Sequence, residues 1–496
     1  MKRSSGIIMH ISSLPGKCGI GTFGKEAYKF ADFLRKSGQG YWQILPLGQT
    51  GYGDSPYQSF SAFAGNPYFI DFELLEEEGI LEKKDYENLD FGENQLSIDY
   101  GKLFIEKMKV LKIAYENSKK RNYQNEIENF KAKNFFWIEE YAFYMALKQK
   151  FNLKSWKYWD DDIKLREEEA MDKYKKELRD EINYWIFVQY IFFKQWNSLK
   201  NYIHDLDITI VGDVPIYVSE DSADMWANPE IFLLDEDKNP IKVSGCPPDA
   251  FSSTGQLWGN PIYRWDYLES TGYKWWITRI NESLKLYDVV RVDHFRGFES
   301  FWQVPYGEET AINGEWVKGP GIKLFNTIKE TLGNINIIAE DLGFLTSEFM
   351  EFKEECGFPG MKVLQFAFDS REDNDYLPHN YDKNCIVYTG THDNDTFRGW
   401  FEETGGTEDI KNAIEYLKLN KEEGYNWGFI RGAWSSVAKL AIAPMQDFLN
   451  LRNEARINLP STLGNNWQWR MKEGSLTDEL AKRIYNLTKL YGRLND

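Results

Sequence analysis

GIIMHISSLPGKCGIGTFGKEAYKFADFLRKSG (residues 6–38) carries the clearest architectural signal in the chain. Residues 6–10 are a short apolar run, and a glycine-rich loop follows. Residues 24–36 then place Ala27, Phe30, Ala31 and Leu34 at i, i+3, i+4 and i+7, with Gly38 as the stop. That is one β-strand followed by one helix with a single apolar face. Further short β-branched or apolar runs end in glycine or polar residues at 41–47, 208–214, 289–293, 335–340, 361–366, 385–389 and 441–445. Most of them precede a stretch with helical periodicity. Such alternation implies parallel strands joined by crossover helices, and eight candidate strands suit an α/β fold of the (β/α)8 barrel type.

The spacing is uneven, because about 160 residues separate the second candidate strand from the third. Residues 65–183 are rich in Lys, Glu and amphipathic helical patterns and predict a mainly helical insertion. The barrel itself is then assigned to 1–64 and 184–496. Residues 220–272 turn to Pro, Gly, Asp and Trp without a sustained helical period. They read as a loop-rich insertion forming part of a substrate groove, since so many aromatics would be costly to leave in water.

Composition narrows the function. The 496 residues hold 59 Lys plus Arg against 77 Asp plus Glu, a formal charge of −18. That balance argues against nucleic-acid binding, whose affinity rests on basic groups displacing counterions. A mean hydropathy of −0.56 argues against a membrane protein. The start, MKRSSGIIMHISSLPG, meets Ser and Gly before a signal-peptide core could form, so the expected location is cytoplasmic. Cys18, Cys246, Cys356 and Cys385 contain no CxxC pair and are expected to be reduced thiols.

Barrel enzymes carry their reacting groups at the C-terminal ends of strands. The expected strand ends here read His10; Asp213 in IVGDVP; Arg291, Asp293 and His294 in VVRVDHF; Glu340 and Asp341 in IIAEDLG; and His392, Asp393 and Asn394 in VYTGTHDND. Three of the five histidines in the chain fall at such ends. Any one acidic residue there could be a helix cap or a turn residue; helix caps do not account for an Arg two positions before an Asp or a His directly after it. Metal ligation is the rival chemistry, but no HxH or HExxH spacing occurs, so no metal and no cofactor are expected. Without a nucleophile elbow or a phosphate-cradling glycine loop, paired carboxylates point to glycoside cleavage, in which one carboxylate attacks and a second, protonated one donates to the leaving oxygen. Arg291 and Asp293 alternate along one strand and therefore face the same side.

The strings SSLPG (12–16), WQILPLGQTGYGDSPYQS (42–59), GDVPIYVSEDSADMW (212–226), PPDAFSSTGQLWGNPIY (247–263), RVDHFRGF (291–298), IAEDLG (338–343), GTHDND (390–395) and ARINLPSTLGNNWQWR (455–470) together resemble the 4-alpha-glucanotransferases of glycoside hydrolase family 77, in the alpha-amylase clan. The resemblance runs nearly end to end and is weakest over the helical insertion. It implies a retaining enzyme that moves segments of maltooligosaccharides and alpha-1,4-glucans to an acceptor 4-hydroxyl. It also implies that Asp293 is the nucleophile, Glu340 the general acid/base and Asp393 the third carboxylate. Tyr57, Asp213, Pro248, Asp249, Trp258, Arg291, His294, His392 and Asn458 would bind substrate. Trp42, Tyr52, Trp302 and the stretch 458–467 are further candidates for stacking on sugar faces, and the loop 245–259 is expected to cover the donor side. One departure from the family pattern is Thr22 in GIGTFG, where an acidic residue is expected. A hydrolase of the same clan and an inactive glucan-binding protein stay open as alternatives.

Overall fold

The computed structural model describes residues 2–121, 123–248, 252–343, 345–369 and 375–495. Each of the eight stretches expected to be strands overlaps one, to within two residues at its start or end in four cases: Ser4–Ile8 (β1), Tyr41–Gln43 (β2), Thr209–Pro215 (β3), Val289–Asp293 (β4), Ile337–Ala339 (β5), Gly360–Val363 (β6), Cys385–Tyr388 (β7) and Leu440–Pro444 (β8). They form one parallel sheet in the order β6-β7-β8-β1-β2-β3-β4-β5. The sheet curls until its edges meet, and the Ala339 N–H at the end of β5 donates to the Pro359 carbonyl just before β6 at 2.9 Å.

Period-two alternation explains why these short runs are apolar on both faces. Ile8, Tyr41, Val211, Val289, Ile338, Met361, Ile386 and Leu440, one from each strand, pack together inside the barrel. Their chain neighbours Ile7, Trp42, Ile210, Val290, Ile337, Val387 and Ala441 face outward into the larger core beneath the helices. The interior is thus filled by side chains, and reactive groups can stand only at its ends.

The barrel helices are Lys25–Lys36 (α1), Arg179–Asp205 (α2), Lys274–Leu286 (α3), Ile322–Leu332 (α4), Ser347–Cys356 (α5) and Asp478–Leu490 (α6). In α1 the residues read as its apolar face, Ala27, Phe30, Ala31 and Leu34, are buried. The chain leaves α1 through Gly38 at φ +70°, a left-handed turn that favours glycine. Between β2 and β3 lie helices that include Tyr100–Ser118, Gln124–Lys133, Ile138–Lys150 and Glu168–Glu177. No described helix is long and apolar enough to cross a membrane.

A second sheet has no counterpart in the sequence reading. Lys242–Cys246 and Gln256–Pro261, inside the stretch read as loops, join Ser300–Pro305 and Glu315–Lys318 in a four-stranded antiparallel sheet. KVSGC and QLWGNP mix Gly, Pro and polar residues, and the pairing slips between Val243 and Gly245. No run of alternation survives for a periodicity argument to detect.

Candidate active site

Strand register sets the depth of each polar group. Asp213 on β3 lies level with Arg291 on β4, whereas Asp293, the last residue of β4, lies level with Pro215, one layer nearer the mouth. Arg291 Nη1 donates to both oxygens of Asp213, at 2.8 and 2.7 Å, and to Asp293 Oδ1 at 3.0 Å. Its Nε meets the Met361 sulfur at 3.4 Å. Burial works against the guanidinium charge, but Asp213 and Asp293 outweigh it and hold the Arg291 pKa well above its ordinary value. Arg291 is therefore a fixed cation.

Exposure separates the carboxylates into two kinds. The Asp213 side chain is 0% exposed, whereas those of Asp293 and Asp393 are 32% and 39% exposed. Asp213, expected among the substrate contacts, is enclosed by Arg291 and Tyr57, and its side chain has no exposed surface to offer a sugar. The Tyr57 hydroxyl donates to Asp213 Oδ2 at 2.9 Å, and its oxygen lies 2.9 Å from His392 Nε2. Tyr57 has one proton to give. Once it goes to Asp213, the nitrogen of His392 must be the donor, which fixes the proton on Nε2. The two rings stack at 5.3 Å and 15°.

Glu340 follows β5 and is held differently. Its Oε2 accepts the backbone N–H of His294 at 2.8 Å, and its Oε1 that of Leu342 at 2.7 Å. The first contact ties it to the residue after Asp293. His294 makes that contact from a left-handed conformation, φ 51°, which is uncommon for a residue with a side chain. Burial pushes the Glu340 pKa up to about 7; Asp293 adds to the rise, while Arg291 and the two amides oppose it.

The remaining positions complete the rim. Asn458 Nδ2 donates to Asp393 Oδ1 at 2.6 Å, and the Asn458 N–H to the His392 carbonyl at 3.1 Å. The Trp258 ring stands edge-on to His294 at 4.7 Å, and burial lowers the His294 pKa to about 4. His10 is buried: its Nδ1 accepts the Leu45 N–H at 3.2 Å, and burial with the neighbouring His392 lowers its pKa to about 3. Pro248 is exposed after the strand Lys242–Cys246, and Asp249 lies outside the described residues.

Other expectations resolve into structural roles. Asp341 turns away to Lys353 at 2.7 Å and the Met361 N–H at 2.6 Å. Trp42 is core: it is 1% exposed and gives its indole N–H to the Met9 carbonyl, so it cannot stack on a sugar. Trp302 donates to the Ala311 carbonyl in the second sheet, and Tyr52 is 99% exposed. Thr22, the departure from the family pattern, bonds Asp71 at 2.5 Å. Arg456 was missed; its guanidinium donates to the carbonyls of Asp393 and Asn458 at 2.5 and 2.7 Å. The signal available was an Arg two residues before Asn458.

The arrangement offers one carboxylate beside a fixed cation and one carboxyl kept near neutrality by burial, on adjoining strands at one barrel mouth. The chain also matches the family model described as 4-alpha-glucanotransferase over residues 9–477. The chain belongs to the 4-alpha-glucanotransferases of glycoside hydrolase family 77. This glucanotransferase is 62% identical to the 4-alpha-glucanotransferase of Clostridium butyricum over 486 residues, covering 98% of this chain and 100% of that one. It is 50% identical to that of Streptococcus pneumoniae serotype 4, covering 100% and 98%. It superposes on the amylomaltase from Streptococcus agalactiae, solved in complex with acarbose, with a TM-score of 0.97 and 45% identity over 100% of both chains. The amylomaltase from Corynebacterium glutamicum shares the fold at a TM-score of 0.79 and 18% identity, covering 99% of this chain and 75% of that one.

Proposed function

We propose that the glucanotransferase works by double displacement, with Asp293 as nucleophile and Glu340 as acid and then base. The observation that carries this reading is the contrast between the two carboxyls: Arg291 contacts Asp293 at 3.0 Å, while burial raises Glu340 to about 7. A donor alpha-1,4-glucan places its anomeric carbon against an Asp293 oxygen. Protonated Glu340 gives its proton to the bridging oxygen as that bond breaks, and an ester forms to Asp293. Esterification removes the Asp293 charge, one of the influences that raises the Glu340 pKa. The Glu340 carboxylate left behind is then more stable as an ion. It persists until the 4-hydroxyl of an acceptor glucan arrives, takes that proton, and the sugar leaves Asp293 with its alpha configuration restored.

The supporting cast follows from the contacts. Asp393, with its Oδ1 held by Asn458, is placed to grip sugar hydroxyls. Asp213, one layer below Asp293, holds Arg291, and Tyr57 links Asp213 to His392. The substrates are maltooligosaccharides and alpha-1,4-glucans, and transfer wins over water when a bound acceptor holds its hydroxyl in near-attack geometry.

The test is to trap the ester. Glu340→Gln enzyme mixed with maltosyl fluoride, whose leaving group needs no acid, should accumulate an adduct that peptide mass spectrometry places on Asp293. An adduct elsewhere, or release of product without one, would remove Asp293 from its role.

A further inference from the structure

The rim carboxylate Asp393 and its partner Asn458 come from different loops. Asp393 lies in the loop after β7, and Asn458 in the chain that follows β8 and the short 3-10 helix Asn453–Ala455. Their side chains meet at 2.6 Å, Asn458 Nδ2 donating to Asp393 Oδ1. A hydrogen bond between two loop side chains is only as exact as the main chains that carry them, and loops are the mobile parts of a barrel.

One guanidinium holds both main chains. Arg456 Nη2 donates to the Asp393 carbonyl at 2.5 Å, and its Nε to the Asn458 carbonyl at 2.7 Å. Its Nη1 pairs with the Asp395 carboxylate, and the Asp395 carbonyl accepts the Gln365 side-chain amide at 2.9 Å. These contacts close a ring. It runs from Arg456 to the Asp393 main chain, through the Asp393 carboxylate to the Asn458 amide, and from the Asn458 carbonyl back to Arg456. A guanidinium is planar and its donors point in fixed directions, so it sets the separation of the two loops as well as joining them.

The same two loops have a second set of fastenings that does not involve Arg456. Buried Asp447 accepts the Thr389 hydroxyl at 2.6 Å and the Phe397 N–H at 2.8 Å, and Asn453 Oδ1 accepts the Thr396 N–H at 3.1 Å. These hold the β7 loop at its two ends, and Arg456 holds it at Asp393. Its role is therefore separable from folding.

We propose that Arg456 is a positioning residue for glucan transfer, acting through Asp393 and Asn458 to hold the carboxylate where the hydroxyls of the reacting sugar require it. The proposal rests on the reading of Asp393 as the carboxylate that grips that sugar. Hydroxyl contacts at the reacting ring strengthen as the ring distorts towards the transition state. A carboxylate displaced by a fraction of an ångström therefore loses turnover before it loses binding.

Arg456→Lys keeps the positive charge but loses the planar fork, and Asp395→Asn leaves Arg456 in place while removing the charge opposite its third donor. With maltotriose, Arg456→Lys should lower kcat about 10- to 100-fold and change KM less than about threefold. Asp395→Asn should lower kcat about 3- to 10-fold. The deciding measurement uses Asp393→Ala enzyme, in which the group to be positioned is gone. With maltosyl fluoride as donor, adding Arg456→Lys to it should cost less than about a further threefold. Thermal unfolding checks that each variant is folded, and the same cycle run with Asp395→Asn decides the matter if Arg456→Lys is not. Losses that multiply in the double variant, a kcat for Arg456→Lys within about threefold of wild type, or a loss confined to KM would overturn the proposal. Near-normal turnover of Asp393→Ala alone would instead defeat the reading of Asp393, and the positioning role with it.

Discussion

The wall formed by β3 and β4 and the wall formed by the end of β5 hold chemically similar groups in opposite ways. On the first, Asp293 shares the Arg291 guanidinium with Asp213, an ion cluster whose buried members are 3% and 0% exposed. On the second, Glu340 is hydrogen-bonded, among the described residues, to two backbone N–H groups, and burial dominates. A neighbouring cation favours the ionised carboxyl and burial beside amide dipoles the protonated one, and at Asp213, beneath the exposed rim, burial outweighs even Arg291 and raises the pKa. The difference teaches that the assignment of attacking and proton-donating roles lies in the neighbours of the two acids, not in their being Asp and Glu.

The comparison breaks most severely if the charged wall loses its outer member. Asp293→Ala should lower the rate of maltotriose disproportionation by on the order of 10⁴-fold or more, because no other group can form the ester. Asp393→Asn should lose several orders of magnitude too, but without changing the charge next to Arg291. Near-normal turnover in either variant, measured by the ladder of longer chains formed from maltotriose, would cancel the role assigned to that residue.

The inner member sharpens the comparison through stability. Asp213→Asn leaves a buried guanidinium with less countercharge, and breaking such a pair costs about 3–5 kcal/mol. Urea unfolding should show a loss of that order, and Arg291→Met combined with Asp213→Asn should recover part of it, since both charges are then gone. Equal stability of wild type and the single variant would mean that Asp213 does not serve to hold Arg291.

That inner layer also marks where sequence reasoning stopped. The positions of Asp293, Glu340 and His392 were legible because a barrel puts strand ends at its mouth, and a strand end is a local feature. Whether such a residue faces the cleft or lies beneath it depends on register. Asp213 is two residues short of the end of β3, level with Arg291, and only the pairing of two strands shows this. Tyr57 and Asn458 came from the resemblance of their motifs, since neither lies on a strand. Trp42 was misread as a stacking residue because its outward face on β2 depends on the same unseen alternation. The second sheet left no alternation to find.

The smallest expected effect separates the walls most finely. Glu340 binds its proton more tightly folded than unfolded, its pKa being raised from 4.5 to about 7. The stability this contributes is fully present below the unfolded value of 4.5 and is lost as pH rises through about 7. Glu340→Gln has no proton to lose. Relative to wild type it should gain stability progressively from pH 4.5 to 7 and keep a gain of about 1–3 kcal/mol above that. Thermal unfolding at pH 5 and pH 8 reads the difference directly. The same proton sets activity, so wild-type turnover should fall above about pH 7 while the variant is inactive throughout. A Glu340→Gln enzyme no more stable than wild type at pH 8 would mean that the β5 wall solvates its carboxylate as well as the β4 wall does, and the division of labour would need another cause.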